Sequence, residues 1–275
     1  VEGGDTYGEL LKEGIISSCY SLPGHYSLKA CLKTGGKEKV EGREEIFVID
    51  WQSLQLSENG AILESGNSIS QFLSEKKSLS LPDYSSKLKP LDYILVGGRS
   101  PGAIRIEKEL LNRVAQDGTT LILIANDRQI AKGWASTLAK EKVVGFKGMV
   151  GPARASWMGS WYLVKEHPLF ESLPVNTAFS WEYQTDVRGL GDFFKDAGVY
   201  GADGMLLEGK NVEHVVGYSR GHDRRIGTAV AVIFYGKGKI ILSNIAGFCN
   251  ALTDSNSPLH TAVARRLLCN FIQFA

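Results

Sequence analysis

The stretch from Leu91 to Leu138, LDYILVGGRSPGAIRIEKELLNRVAQDGTTLILIANDRQIAKGWASTL, decides the fold. Two short apolar runs, Tyr93–Val96 and Thr120–Ala125, each end in a glycine or polar turn and lead into a helical pattern. Strand, turn and helix, repeated in that order, predict an α/β fold with a parallel sheet covered by helices. In such sheets ligands collect at the carboxyl ends of the strands. Here those ends are Gly97-Gly98-Arg99-Ser100 and Asn126-Asp127.

The helical patterns on either side agree with this reading. Over Ala103–Gln116, Ile106, Leu110 and Val114 form one stripe with Leu111 beside it. Asp117-Gly118 ends that helix, because glycine enters the left-handed region without a Cβ clash. Over Asp127–Lys140, Ile130, Trp134 and Leu138 share a face with Ala131 and Ala135, and Asn126 or Asp127 supplies the cap. Upstream, Ala61–Glu64, Asn67–Glu75 and Ser78–Leu81 read as strand, helix and short strand. Downstream, Val143–Phe146 is a further strand, and residues 147–205 are irregular, rich in glycine and aromatics. Glu166-His167-Pro168 opens a turn or short helix. Val212–Ser219, Thr228–Phe234 and Lys239–Ser243 return to strand, the last two joined by a hairpin at Tyr235-Gly236-Lys237-Gly238. A helix started by Ser257-Pro258 closes the chain.

The first 51 residues have a different character. Ile15–Leu22 and His25–Lys33 flank Pro23-Gly24, and Glu45–Trp51 forms a third run. Tyr26, Leu28, Ala30 and Leu32 alternate with polar residues, which predicts one buried face. Polar Gln52–Gly60 then separates a β-sandwich-like segment, 1–51, from an α/β domain, 60–275.

Composition excludes several classes. Among 275 residues, 31 basic and 30 acidic side chains leave a net charge of +1, so no basic field for nucleic acid exists. No apolar run approaches the ~20 residues of a membrane span. The opening VEGGDTYGELLKEG reads as the interior of a longer protein. Cys19, Cys31, Cys249 and Cys269 form no CxxC and have no histidine at metal spacing, so no metal site is expected. A hairpin at Pro23-Gly24 would put Cys19 and Cys31 out of register, which predicts free thiols.

Several places could carry chemistry. Gly97-Gly98 could aim backbone amides at a phosphate or oxyanion, or could simply serve a tight connection. Without GxGxxG or GxxxxGK[ST], no nucleotide cofactor is expected. Asn126 stands where an α/β enzyme presents a nucleophile, but an amide nitrogen is not basic and cannot attack. Arg154–Tyr162, with Arg154, Trp157 and Trp161, suits either stacking on a sugar or packing at an interface. The loop Ser219–Arg225 places His222 among charges, as a catalytic base or a solvated loop. His167 and His260 read as structural, and His25 adjoins a turn. No pair of carboxylates stands out as a glycosidase needs.

Residues 92–98, the helix after them, and Thr120–Asn126 with its helix resemble the class I glutamine-amidotransferase-like fold, a flavodoxin-like α/β sandwich. Active members carry a cysteine at the elbow, which falls at Asn126 here, and a late His–Glu pair that this chain lacks. The resemblance implies a scaffold without its nucleophile. The strand pair running to Ile46–Trp51, the segments Trp161–Val164 and His167–Phe170, Ile226–Ala229 and Tyr235–Lys239 are similar to the non-catalytic C-terminal regions of bacterial glycoside hydrolases. These are family 2 enzymes of the β-galactosidase and β-glucuronidase type. That resemblance implies a catalytic barrel earlier in the parent chain as partner, and a periplasmic or extracellular setting. It implies no catalytic residue in these 275. The role expected is packing, self-association or shaping a substrate entrance. A carbohydrate-binding module using Trp157 and Trp161 and a cryptic amidotransferase-like hydrolase remain as alternatives.

Overall fold

A computed structural model describes residues 22–98, 104–150, 160–176, 204–220, 224–245, 247–254 and 261–275. Contacts divide the chain into two units, with the break between Val48 and Ile49.

The first unit is a two-stranded antiparallel hairpin, β1 (Gly24–Thr34) and β2 (Lys37–Val48). Its turn is Gly35-Gly36, with φ of +58° and +77°, the pair of positive values that a two-residue hairpin turn needs. β2 therefore starts directly after this turn, whereas the sequence pattern places a third strand only at Glu45. The reason lies in KEKVEGRE (37–44), which has no alternation and is held by cross-strand charges. Lys29 pairs with Glu41 and His25 with Glu45. The expected apolar face is not buried: Leu28, Leu32 and Val40 are exposed. Of the run expected over Ile15–Leu22, residues 15–21 lie outside the described residues.

Among the described residues, the second unit is built on a nine-stranded mixed sheet. β3 (Gly60–Glu64), β4 (Tyr93–Gly98), β5 (Thr120–Ala125) and β11 (Gly238–Ser243) run parallel, in that spatial order. Residues 82–84 add a short parallel edge beside β3, through an Ile62–Asp83 bridge and Tyr84 N donating to Ile62 O at 2.7 Å. Ser78–Leu81, expected as a strand, is the approach to that bridge. The remaining strands are antiparallel: β6 (Gly145–Val150), β7 (Ser160–Val164), β8 (Gly204–Glu208), β9 (Val212–Arg220) and β10 (Gly227–Tyr235). The sheet is thus mixed, not the parallel sandwich expected. β7 and the start of β8 lie in residues 147–205, whose sequence predicts irregular chain. At β10 the sheet forks, pairing β8 at Thr228–Met205 and β9 along Gly227–Ile233.

β4 and β5 are buried throughout and β11 from Ile240 onward, and their side chains alternate between two cores. On one face, Tyr93, Leu95, Ile122 and Ile241 meet α1 (Ser68–Lys77), α4 (Phe248–Ala251) and α5 (Thr261–Gln273). On the other, Ile94, Val96, Leu121 and Leu242 meet α2 (Lys108–Asn112) and α3 (Arg128–Lys140). Residues 49–56 are packed on the first core as a strap. Lys77 Nζ donates to the carbonyls of Trp51, Gln52 and Leu54, and Arg266 Nη1 to that of Asp50 at 2.6 Å. Arg266 also holds Glu171 O at 3.2 Å, so a buried guanidinium ties strap and loop to α5. Cys31, Cys249 and Cys269 are thiols. Burial pushes the Cys269 thiol up to about 11.

Two helix details differ from the periodicity. α2 starts at Lys108 because the Ile104 carbonyl is engaged by Trp134 Nε1 at 3.1 Å. Its last turn, Arg113–Asp117, widens to a π-helix, and the Ala115 carbonyl accepts from Lys237 N at 2.9 Å. Gly118 at φ +82° ends it as expected. For α3 the cap is Asp127, whose Oδ1 accepts from Gln129 N at 2.7 Å and Ile130 N at 3.1 Å. Asp127→Ala should therefore lower stability by about 1 kcal/mol, read as the midpoint shift in urea unfolding. A change within experimental error would show that the cap contributes nothing.

Candidate functional site

The spatial order of the parallel part sets the place to search. The chain runs from β3 through α1 to the 82–84 edge, then returns past β3 to β4. The connections thus change direction between β3 and β4. At such a switch point the connecting helices leave to opposite faces and open a crevice at the strand ends. In this chain Glu64, Ser65, Gly97 and Gly98 stand there, with Asn126 at the end of β5 next door.

That crevice is closed by the chain itself. The Glu64 carboxylate reaches the N-terminus of α1, where Oε2 accepts from Ser70 N at 2.9 Å and Oε1 from Ile69 N at 3.3 Å. Free amides at a helix start attract an anion, and a native carboxylate already holds this position. Ser65 N donates to Gly97 O at 2.9 Å, so the two strand ends are stitched together. Gly97 and Gly98 are both buried. A Cβ on Gly97 would stand 2.6 Å from Ile69 Cδ1 and 3.2 Å from Glu64 Cβ. A Cβ on Gly98 would stand 2.7 Å from Ile130 Cγ2 and 3.0 Å from Trp134 Cη2. Glycine is needed at both positions because α1 and α3 approach the sheet so closely.

Asn126 is equally occupied. Its N donates to Gly98 O at 3.1 Å, its O accepts from Gly247 N at 3.0 Å, and its Oδ1 accepts from Asn250 N at 3.3 Å. It caps no part of α3, where Asp127 does that work. Instead it joins β5 to the α4 turn. Beside it, Cys249 is buried with Sγ 3.7 Å from Ile124 O, directed at the backbone. Ser243, at the end of β11, is buried too.

Few of the other residues singled out from the sequence are among the described residues. Trp161 lies in β7, in register with Ser219. Arg154, Trp157 and His222 lie outside the described residues, as does His260. His167 caps the 3₁₀ turn Pro168–Phe170, its Nδ1 accepting from Leu169 N at 3.1 Å, with Glu213 3.6 Å from Nε2. Burial lowers its proton affinity, and Glu213 offsets part of that. Among the described residues no group of three His, Cys, Asp or Glu is placed to hold a metal ion. No described helix is long and apolar enough to cross a membrane.

Sequence reasoning passed over one feature. A cavity of about 620 Å³ opens in the fork between β8 and β9. It is lined by aliphatic side chains and by His214, whose Nδ1 lies 2.6 Å from Thr228 Oγ1. The available signal was a histidine and a threonine near the starts of two strands, beside Gly204, Gly217 and Gly227.

Comparison with known proteins adds little. No family model matches the chain, and no curated protein matches it. A solved structure described as a putative ThuA-like protein from Bacteroides uniformis superimposes with a TM-score of 0.41 at 13% identity. The match covers 78% of this chain and 90% of that one, and a likeness of that size assigns no function.

Proposed function

We propose that this chain is a non-catalytic accessory region of a carbohydrate-degrading glycoside hydrolase, built on a flavodoxin-like, class I amidotransferase-like scaffold. The strand order, with the 82–84 edge outside β3, supports the scaffold. The observation that carries the non-catalytic reading is the self-closure of the switch point. Glu64 holds the α1 amides, Gly97 and Gly98 are packed under Ile69, Ile130 and Trp134, and Asn126 is bonded through all three of its backbone and Oδ1 positions. A nucleophile needs a reactive lone pair and a neighbouring base, and among the described residues the Asn126 amide at this elbow can serve as neither. The hydrolase parentage rests on the resemblance of Trp161–Val164, His167–Phe170 and Tyr235–Lys239 to C-terminal regions of family 2 enzymes. In that setting the work of the chain is to pack against the catalytic barrel, to mediate self-association or to shape the substrate entrance.

The coding sequence upstream of Val1 tests the parentage: a barrel with two glutamates at its strand ends is expected. In that full-length protein, Asn126→Ala should leave kcat on a chromogenic β-glycoside within about twofold. An upstream sequence without a barrel removes the proposal. So does turnover by the 275-residue chain alone that disappears in Asn126→Ala.

A further inference from the structure

The fork cavity is separate from the switch point and is not needed by the accessory role. Its walls come from β7 with the residues after it, from β8, and from the facing parts of β9 and β10. Leu163, Val164, Met205, Leu206, Leu207 and Ile226 make the lining aliphatic. No aromatic ring faces it among the described residues, so none of these offers a platform on which a sugar could stack. Its volume lies within the range of small-molecule sites.

Five polar residues line it among the described residues, Lys165, Asn176, Glu208, His214 and Thr228. His214 and Thr228 form a hydrogen-bonded pair across β9 and β10, and Thr228 is almost fully buried. If the Thr228 hydroxyl donates to Nδ1, His214 carries its proton on Nε2 and presents a donor there. If Nδ1 donates, the hydroxyl hydrogen is released to another acceptor. Either way the pair offers one hydrogen-bond donor beyond itself. Lys165 follows β7, its N donating to Val215 O at 3.2 Å, and brings an ammonium to the same cavity. The opposing charge, Glu208, is paired with Lys147 at 2.6 Å. Burial first, and then the Lys165 charge, keep His214 neutral more readily than an ordinary imidazole.

We propose that the fork between β8 and β9 binds a small monocarboxylate with an aliphatic body, the chain filling the space between Met205 and Ile226 and the carboxylate meeting Lys165 and the His214–Thr228 pair. An aliphatic wall with one cationic and one neutral donor matches one acid head on an apolar tail. A sugar would leave its hydroxyls facing leucine and methionine without partners.

Calorimetric titration with octanoate, octanol and glucose tests this on the intact chain. Octanoate should bind one site with millimolar or better affinity and move the His214 imidazole resonances, octanol should bind more weakly, and glucose should give no heat. Lys165→Ala, at an exposed position, should weaken octanoate about tenfold and leave octanol unchanged. Ile226→Asp, also exposed, should abolish octanoate binding while the far-ultraviolet spectrum stays that of the parent. No saturable octanoate signal at millimolar concentration overturns the proposal. Equal affinity for octanoate and octanol, or octanoate binding untouched by Lys165→Ala and Ile226→Asp, overturns it as well. None of these outcomes bears on the upstream barrel, so this proposal and the accessory role stand or fall separately.

Discussion

Gly227→Ala is expected to destabilise the second unit by about 3 kcal/mol or more, among the largest effects of a single methyl group in this chain. The dihedrals are not the cause, since Gly227 is not among the positive-φ positions. The cause is the fork. A Cβ at Gly227 would stand 2.4 Å from Gly204 Cα, 2.5 Å from its carbonyl carbon and 2.8 Å from its oxygen. All three are backbone atoms, so no rotamer change can relieve the contact. β8 must move away from β10, and the single register pair Thr228–Met205 is lost with it. The reduced freedom of the unfolded alanine chain offsets only about 0.4–1 kcal/mol. For a unit of this size the melting temperature should fall by roughly 6–12 °C, followed by calorimetry. Gly133→Ala is the matched control. Gly133 lies on the exposed face of α3 with nothing within 4 Å of its Cβ position. Alanine there should stabilise by about 0.5–1 kcal/mol, the opposite sign for the same change. If both variants shift stability by similar small amounts, the fork is not held by the glycine contact.

The parallel half of the sheet was legible because burial on both faces leaves a plain signature. Tyr93–Val96 and Thr120–Ala125 are unbroken apolar runs, and the elements β4 and β5 coincide with them to within two residues. The helix stripes were legible for the same kind of reason: Ile130, Trp134 and Leu138 are all buried on one core. What failed were decisions made by contacts distant in sequence. Nothing near Ile104 tells that its carbonyl belongs to Trp134, so periodicity alone starts the helix at Ala103 whereas α2 begins at Lys108. β7 and β8 sit among glycines and aromatics, and they become strands because β9 and β10 offer edges to pair with. In the hairpin, Pro23-Gly24 and Gly35-Gly36 are both good turns locally. Gly35-Gly36 joins β1 to β2, whose charge pairs carry the strand back to it, and residues 15–21, which would pair across Pro23-Gly24, lie outside the described residues.

The candidate site was half legible. The strand ends themselves follow from the order of elements, and the chemistry of Asn126 follows from its amide. The plug does not. Glu64 is an ordinary acid at the end of a strand, and only the fold brings it onto the Ile69 and Ser70 amides. The His214–Thr228 pair spans 14 residues and two strands, a coupling fixed by the register of β9 on β10. Residue type alone could not single it out from the other histidines.

A mutant cycle at Gly98 and Ile130 distinguishes a packed turn from an open anion cradle. Gly98→Ala should cost about 1–3 kcal/mol, because the new methyl would lie 2.7 Å from Ile130 Cγ2 and 3.0 Å from Trp134 Cη2. Ile130→Ala should cost about 2–5 kcal/mol, because it empties a buried position between α3 and the sheet. The pair should cost less than the sum by about 1 kcal/mol, since the methyl at residue 98 enters the space that Cγ2 leaves. Trp134 stays in place, so the relief is partial. In an open cradle Gly98→Ala would cost under about 0.5 kcal/mol and add to Ile130→Ala without coupling. A cradle would also raise the melting temperature of the parent chain in phosphate, by mass action on the folded state. Additive costs together with a phosphate-dependent rise lost in Gly98→Ala would mean that the glycine pair binds an anion after all, and that the closed switch point is the wrong account of this end of the sheet.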